Sequence, residues 1–263
     1  MATARIVIPC FNEAQRLDPA SFENFASPLH DIAFLFVNDG STDGTLALLE
    51  SLRSSNPSRF AILNLPENKG KAEAVRQGIL ATTKTRPAYV GFWDADLATP
   101  LDAIPSFLDL AENRPDIEII LGARVKLLGR RIERRASRHY LGRIFATAVS
   151  IILGLEVYDT QCGAKLFRVS PAMDELFSRP FYSRWIFDVE IIARLIQSRR
   201  GTNLPPAGNV IYELPLTQWR DVSGSKLRYT DFLKASWELA HVYRRYCLKS
   251  RGERSAALGR APT

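Results

Sequence analysis

Apolar residues along this chain fall into short, nearly continuous runs. Arg5–Pro9, Ile32–Val37, Phe60–Leu65, Ala88–Trp93 and Ile117–Leu121 are rich in β-branched and aromatic residues. Such runs suit strands covered on both faces, as in a parallel sheet. Between them the period changes. Leu46 and Leu49 within Thr42–Ser54, and Ala72, Val75 and Ile79 within Lys69–Thr82, recur at helical spacing. A third helix is expected after Thr99-Pro100, a capping residue followed by proline at the first helical position. Strands alternating with helices predict an α/β domain with a mainly parallel sheet. Ligands of such sheets bind beyond the carboxyl ends of the strands.

Past residue 123 the pattern shifts. A basic segment leads into an apolar helix expected over Ala136–Leu155, then the loop Asp159–Gly163, a strand Lys165–Arg168 and a helix near Phe187–Ser198. The Pro/Gly-rich turn Leu204–Gly208 precedes a strand over Val210–Leu216. A long amphipathic helix is expected from Tyr229 to about Lys249. No internal repeat or long linker breaks this order. It predicts one domain over residues 1–250, with halves at 1–123 and 124–250, and a disordered basic tail at 251–263.

Composition narrows the class. With 263 residues, 46% of them hydrophobic, the chain can bury a sizeable core without covalent staples. Cys10, Cys162 and Cys247 are odd in number and lack zinc-ligand or CxxC spacing, so a reducing compartment is expected. Met1–Pro9 enters a strand-like run without the apolar stretch of a signal peptide. The longest apolar-rich stretch, Ile144–Leu155, is shorter than the about 20 residues that span a bilayer. A soluble or peripheral chain is expected. The net charge of +7 is unevenly placed: Arg124–Arg143 holds eight basic residues and one acidic, and Lys226 onward holds nine basic and three acidic. The second half therefore suits an anionic partner: a membrane surface, a phosphate or a nucleic acid. A nucleic-acid-binding module would account for the charge but not for acidic motifs in the first half. No signature of such a module is present, so no nucleic-acid partner is expected.

Those acidic motifs carry the chemistry. Asp94-Ala-Asp96 follows the run Ala88–Trp93, at a strand end. Two carboxylates this close repel unless a proton or cation holds them. Oxygen ligands of this kind suit Mg²⁺ or Mn²⁺, which also bridge phosphate oxygens. For such a pair alone, helix capping or an ordinary surface is the competing reading. Asn38-Asp39-Gly40-Ser41-Thr42 ends the second run. Gly40 and Ser41 fit a tight turn with a helix cap, and the Asp39 carboxylate can accept hydrogen bonds from a base or ribose. Asn68-Lys69-Gly70-Lys71 lacks the glycine spacing and hydroxyl of a phosphate-binding P-loop, and no G-x-G-x-x-G occurs, which excludes an ATPase and a dinucleotide fingerprint.

In sequence order, Ile8-Pro-Cys-Phe-Asn-Glu13, Asn38–Thr45, Asn68–Lys71 and Asp94-Ala-Asp96 resemble the nucleotide-sugar half of family 2 glycosyltransferases. Gly122-Ala-Arg124, the arginine-rich segment, Asp159–Phe167, Trp185–Glu190 and Gln218–Lys226 extend the resemblance to the polyprenyl-phosphate sugar transferases, closest to the dolichyl-phosphate β-glucosyltransferase branch. It covers roughly residues 4–230. The resemblance implies a GT-A fold, a single α/β domain with a mixed, mainly parallel sheet. It places Pro9, Glu13 and Asp39 in the nucleoside pocket and Lys71 near the nucleotide, with Asp94 and Asp96 holding the diphosphate through Mg²⁺ or Mn²⁺. Eukaryotic members carry an N-terminal membrane anchor, which this sequence does not show. Related mannosyltransferases carry glutamine where this chain has Ala98, which disfavours GDP-mannose and leaves UDP-glucose as the expected donor.

A phosphate acceptor needs cations more than a general base, because its second pKa of about 6 leaves it largely dianionic at neutral pH. Arg124, Arg134 and Arg138 are the candidates; Arg134 and Arg138, spaced i,i+4, are expected to share a helix face. A solvated basic face is the competing reading. Asp159 and Gln161 fall in the loop resembling the family's site rim. Asp188 and Glu190 open an apolar helix, where they can complement its dipole, or Asp188 can contact the sugar. Trp219, Ser225 and Lys226 lie in a segment that reads as a lid over the diphosphate or as an ordinary Gly/Ser loop. A saccharide or soluble acceptor, needing a general base such as Asp188 or Asp159, is the alternative. Peripheral docking at the cytoplasmic membrane face is expected through two segments. One is the stripe Phe145, Val149, Ile152 and Leu153; the other is the C-terminal helix with Tyr229, Phe232, Trp237, Tyr243 and Tyr246 beside Arg244, Arg245 and Lys249.

Overall fold

The computed structural model describes residues 3–133, 136–222 and 229–248, with only the backbone described at 136–141 and 229–233. Its strands are β1 (Thr3–Cys10), β2 (Asp31–Asp39), β3 (Phe60–Leu65), β4 (Tyr89–Trp93), β5 (Ile119–Ala123), β6 (Arg131–Glu133), β7 (Ala164–Arg168), β8 (Ile211–Pro215) and β9 (Gln218–Arg220). Seven of them form one sheet in the order β3-β2-β1-β4-β7-β5-β8, and β6 pairs with β9 in a small parallel sheet of its own. Strands β1 to β4 run parallel, as do β5 and β8, while β7 is antiparallel to both its neighbours, β4 and β5. The sheet is thus mixed and mainly parallel, and β7, β5 and β8 carry it through the second half of the chain.

The helices are α1 (Pro19–Asn24), α2 (Thr45–Ser55), α3 (Lys71–Thr83), α4 (Ile104–Asn113), α5 (Ala136–Leu153), α6 (Pro171–Ser178), α7 (Phe187–Arg199), α8 (Ala207–Val210) and α9 (Tyr229–Val242). Burial on both sheet faces explains the continuous apolar runs. On β1, Ile6 and Ile8 join one core cluster with Phe34, Phe36 and Trp93, while Val7 joins the other with Val75, Phe92 and Phe187.

Several local readings change. Helix α2 begins at Thr45, not Thr42, and Ser41 does not cap it. The Ser41 hydroxyl accepts from Asn12 N (3.0 Å), and Thr42 N donates to Asn12 Oδ1 (2.9 Å), so both residues pin the loop after β1. Helix α4 follows a 3₁₀ turn, Leu101–Ala103, rather than starting directly after Pro100. The strands β6 and β9 are three residues each, too short to show a period, and α1, α6 and α8 are nearly as brief. The expected disordered tail, 251–263, lies outside the described residues.

The first expected membrane segment is largely core, whereas in the second Trp237, Arg244 and Arg245 are exposed, and the side chains of Tyr229 and Phe232 and the whole of Lys249 lie outside what is described. Val149 and Leu153 of α5 are buried, with Phe145 and Ile152 packed against them. Helix α9 continues as a π-helix, Tyr243–Leu248, and its Leu239, Val242 and Tyr246 are buried too. Among the described side chains of these helices, Ile144, Ile151, Trp237 and Leu248 are the exposed large apolar ones. Among the described residues, no helix is long and apolar enough to cross a membrane.

Helix α3 sits unusually close to the sheet through Gly78. A Cβ there would lie 2.4 Å from Val7 Cγ1 and 2.8 Å from Val37 Cγ2. Overpacking typically costs about 1–3 kcal/mol, which outweighs the about 1 kcal/mol that alanine gains over glycine inside a helix. Gly78→Ala is therefore expected to lower the urea midpoint at unchanged m-value. An equal or higher midpoint would show that α3 can move off the sheet freely.

Candidate active site

The topology gathers the polar motifs at one end of the sheet. β1 ends at Cys10, β2 at Asp39, β4 just before Asp94 and β5 just before Arg124. Because β7 runs the opposite way, the loop that precedes it, Asp159–Gly163, arrives at this same end. Asp94 N donates to Gly163 O at 2.9 Å, one step beyond the Trp93–Ala164 pair of the β4–β7 ladder. Around these groups lies a cleft of about 590 Å³. Pro9, Glu13, Asp39, Lys71, Asp94, Asp96, Arg124, Asp159, Gln161, Asp188 and Trp219 all line it. Arg134, Ser225 and Lys226 lie outside the described residues. Arg138 falls in the backbone-only start of α5, so the expected helix face shared by Arg134 and Arg138 lies outside the described residues.

At the β2 end, Asp39 does more for the fold than expected. Its two oxygens accept from Lys69 N and Gly70 N, both at 2.8 Å, and so hold the Asn68–Lys71 loop against the strand end. Each carboxylate oxygen still has a second lone-pair direction for a further donor. Gly40 is required here: its φ is +61°, and a Cβ would come within 2.4 Å of the Glu67 carbonyl carbon. Glu13 pairs with Arg16, while its N–H is bound by Thr45 Oγ1 at 2.8 Å.

Carboxylates dominate the middle of the cleft. Lys71 Nζ lies 2.5 Å from Asp94 Oδ1. Burial, and then the neighbouring Asp94 charge, push the Asp96 carboxyl above the usual range. Burial opposes the Lys71 ammonium, yet Asp94, Asp188 and Asp96 together hold its pKa above the ordinary value. Gly163 lets the second loop approach: a Cβ there would sit 1.9 Å from Asp94 Oδ2. Counted over the described lining, seven carboxylates (Glu13, Asp39, Asp94, Asp96, Asp159, Asp188, Asp221) face five cations (Arg16, Lys71, Arg124, Arg143, Arg184). One divalent cation would offset that excess, and the Asp94–Asp96 oxygens are hard donors suited to Mg²⁺ or Mn²⁺. No group of three or more His, Cys, Asp or Glu among the described residues is arranged to hold a metal. Asp94 and Asp96 would hold such a cation with its remaining ligands supplied from outside the described residues, a manner open to Mg²⁺.

The opposite wall departs from expectation. Arg124 is bound by Asp159, with Nε 2.6 Å from Oδ2 and Nη2 2.7 Å from Oδ1, and its guanidinium lies 5.2 Å from the Trp219 ring centroid. Burial opposes this charge, but Asp159 outweighs it and keeps the guanidinium above its ordinary pKa. Arg124 is thus half of a compact ion pair. Glu213, on β8, fixes that pair from behind by accepting from Tyr158 N and Asp159 N, both at 2.7 Å. Asp188 does not simply complement the start of α7: its Oδ1 lies 2.6 Å from Nζ of Lys165, which is buried and also donates to Cys162 O. Glu190 is fully buried, accepting from Ser183 N, Arg194 and the Tyr246 hydroxyl. Sequence reasoning passed over Lys165, Glu213, Arg143 and Arg184. Lys165 sat inside a motif already singled out and Arg184 sat one residue before another, so adjacency was the one available signal.

An α/β sheet that presents paired carboxylates and a basic loop at its carboxyl ends suits binding of a phosphate-bearing ligand, and this chain belongs to glycosyl transferase family 2, whose model matches residues 5–176. It is a glycosyltransferase with the GT-A fold expected of that family. Among curated proteins, a dolichyl-phosphate beta-glucosyltransferase of Saccharomyces cerevisiae is 33% identical over 268 aligned positions, covering 92% of this chain and 75% of the relative. The dolichyl-phosphate beta-glucosyltransferase of Dictyostelium discoideum is 30% identical, covering 92% and 74%. Among solved structures, glucosyl-3-phosphoglycerate synthase of Mycobacterium tuberculosis with Mn²⁺ and UDP-glucose superposes with a TM-score of 0.61 at 20% identity, covering 93% of this chain and 79% of that one. The same enzyme with Mg²⁺ and UDP gives a TM-score of 0.62 at 21% identity, over 93% and 79%.

The Gly163–Asp94 contact is open to test. Gly163→Ala is expected to keep the circular-dichroism spectrum and to lower the transfer rate by about 10²-fold, the scale of a misplacement of about 1 Å. A rate near wild type would mean that Asp94 does not need this placement.

Proposed function

We propose that this glycosyltransferase transfers glucose from UDP-glucose to a polyprenyl phosphate, inverting the anomeric carbon, at the cytoplasmic face of a membrane. The observation that carries the reading is the Asp94–Asp96 pair at the end of β4, with Lys71 on Asp94, inside a cleft lined by both halves of the chain. The names of the curated relatives support the acceptor class, and the UDP-glucose complex of the structural neighbour supports the donor. Ala98, which lines the cleft beside Asp96, supports a donor other than GDP-mannose.

The reaction is a single displacement. One oxygen of the acceptor phosphate forms a bond to the anomeric carbon as the bond from that carbon to the diphosphate breaks, and UDP leaves. One in-line step inverts the centre without a covalent enzyme intermediate. Because the phosphate is already an anionic nucleophile, no side chain has to remove a proton. A divalent cation on Asp94 and Asp96 would supply charge neutralisation at the leaving diphosphate. The chain's own residues bind and orient: Asp39 shapes the Asn68–Lys71 loop, Lys71 stands at the diphosphate end, and Asp188, set by Lys165, is placed to accept from a sugar hydroxyl. Asp96→Asn is expected to leave the fold intact and lower transfer by about 10²–10³-fold or more, and excess EDTA to abolish it. Full activity of the variant, or of wild type in EDTA, would overturn the assignment.

The membrane side of the reading rests on exposed aromatic and basic side chains. Tyr182, Trp185 and Trp237 are exposed; His241 packs between Tyr182 and Trp237, and the Arg245 guanidinium lies 5.3 Å from the centre of the Tyr182 ring. Rings of this kind beside arginines suit the interfacial region of an anionic bilayer, and Trp185 also lines the cleft. Tyr246, expected to share this role, is buried instead and donates to Glu190. Wild type is expected to co-sediment with anionic vesicles at low salt and to be released at high salt, since each surface-near arginine contributes about 1 kcal/mol. Trp237→Ala/Arg245→Glu is expected to bind more weakly. Wild type remaining in the supernatant at low salt would move the reading to a soluble acceptor or a separate membrane partner.

A further inference from the structure

The cations along the cleft differ in their partners, and Arg143 donates to Tyr158 O at 3.2 Å with its guanidinium 3.7 Å from the centre of the Tyr158 ring. Arg16, Lys71 and Arg124 each lie on a carboxylate, of Glu13, Asp94 and Asp159 respectively. Arg184 is different. It is exposed, and among the described residues its guanidinium reaches a backbone carbonyl alone, Lys69 O at 3.1 Å. That contact places it on the Asn68–Lys71 loop. A Cβ on Gly70 would be 3.6 Å from Arg184 Nε, so the guanidinium lies directly over the glycine that precedes Lys71. Among the described residues no carboxylate forms an ion pair with its guanidinium, and Arg184 lines the cleft.

The backbone that presents Arg184 is firmly tied down. Glu238, on α9, accepts from the Ser183 hydroxyl (2.5 Å), Arg184 N (3.3 Å), Trp185 N (3.1 Å) and Ile186 N (3.1 Å). Ser183 N is bound in turn by the buried Glu190. Helix α7 has no side-chain cap of its own, its N-cap residue being Ile186. Glu238 therefore satisfies donors at the start of α7 from another helix, and its negative charge complements the dipole there. A surface loop bearing one unpaired arginine is held by two carboxylates from two helices. Preorganisation of this kind lowers the ordering cost of binding.

We propose that Arg184 contacts a phosphate of a bound substrate at the mouth of the cleft, and that Glu238 is the positioning residue that sets it there. This rests on the glucosyltransferase reading for the identity of the substrates, and two phosphates fit the chemistry: the donor diphosphate and the acceptor monoester. A guanidinium binds either through its planar fork of donors.

The test uses the full chain with Arg184→Ala, Arg184→Lys, Glu238→Gln and the double variant Arg184→Ala/Glu238→Gln, each checked by thermal melting. One arm titrates UDP in Mg²⁺ by calorimetry; the other measures KM for a polyprenyl phosphate in detergent micelles. Arg184→Ala is expected to weaken one of these by about ten-fold or more, the size of a lost charge-assisted contact, with Arg184→Lys in between. A raised UDP Kd assigns the donor diphosphate, and a raised acceptor KM assigns the acceptor phosphate. Glu238→Gln is expected to shift the same parameter, and to add little in the double variant because the two residues act as a unit. If wild type binds UDP and turns over but Arg184→Ala matches it in both arms, the contact is wrong. Fully additive effects of the two substitutions overturn the positioning role. Failure of wild type to bind UDP or to transfer glucose would instead reject the glucosyltransferase reading.

Discussion

Strand β7 runs against both neighbours, and that one reversal makes the site. In a wholly parallel sheet the loop before each strand would sit at the amino ends, away from the ligand. Reversing β7 brings Asp159–Gly163 beside Asp94, where the backbone hydrogen bond from Asp94 N to Gly163 O fixes the two loops together. The approach is so close that only a hydrogen fits on the Gly163 Cα. Behind it, Lys165 on β7 is the buried cation that binds Asp188. The reversed strand therefore couples the two halves of the chain through its ladders with β4 and β5, and carries the cation that sets Asp188.

The second governing feature is charge. Gathering carboxylates at one end of a sheet is costly unless cations accompany them, because each buried charge must be paired or solvated. The fold answers with local pairs: Arg124 on Asp159, Lys165 on Asp188 and Lys71 on Asp94. Burial and then Asp94 hold the Asp96 carboxyl above its ordinary pKa despite Lys71 and Arg16, so a further cation beside this pair would be favourable.

The second half supports this arrangement from outside. Helices α5 and α9 both pack against α7, and their described buried side chains, Val149, Leu153, Leu239 and Val242, join one core cluster. What remains outward on α9 is the face carrying Trp237, Arg244 and Arg245. Glu238 turns toward the start of α7 and holds Ser183–Ile186. One helix thus packs on the core, faces solvent and holds a loop that lines the cleft.

The first half was largely legible in the sequence because its signals are local. Continuous apolar runs follow from burial on both faces of a sheet, and strand ends are marked by Asp39 and Asp94 within a few residues of each run. The order of those motifs named the family without any contact being known. What the sequence did not contain is pairing between distant residues. Arg124 reads as a free cation until Asp159, 35 positions away, is seen to neutralise it. Asp188 reads as a helix-terminal acid until β7 sets Lys165 beneath it. Arg184 has no periodic or motif signal of its own, and its place over Gly70 depends on a loop held by Glu238, some fifty residues later. Hydrophobic period and strand-end chemistry belong to single segments, so the sequence determined the architecture and the carboxylate pair. Electrostatic partnership belongs to pairs of segments, so only the tertiary structure decided which charges are neutralised and which still face the substrate.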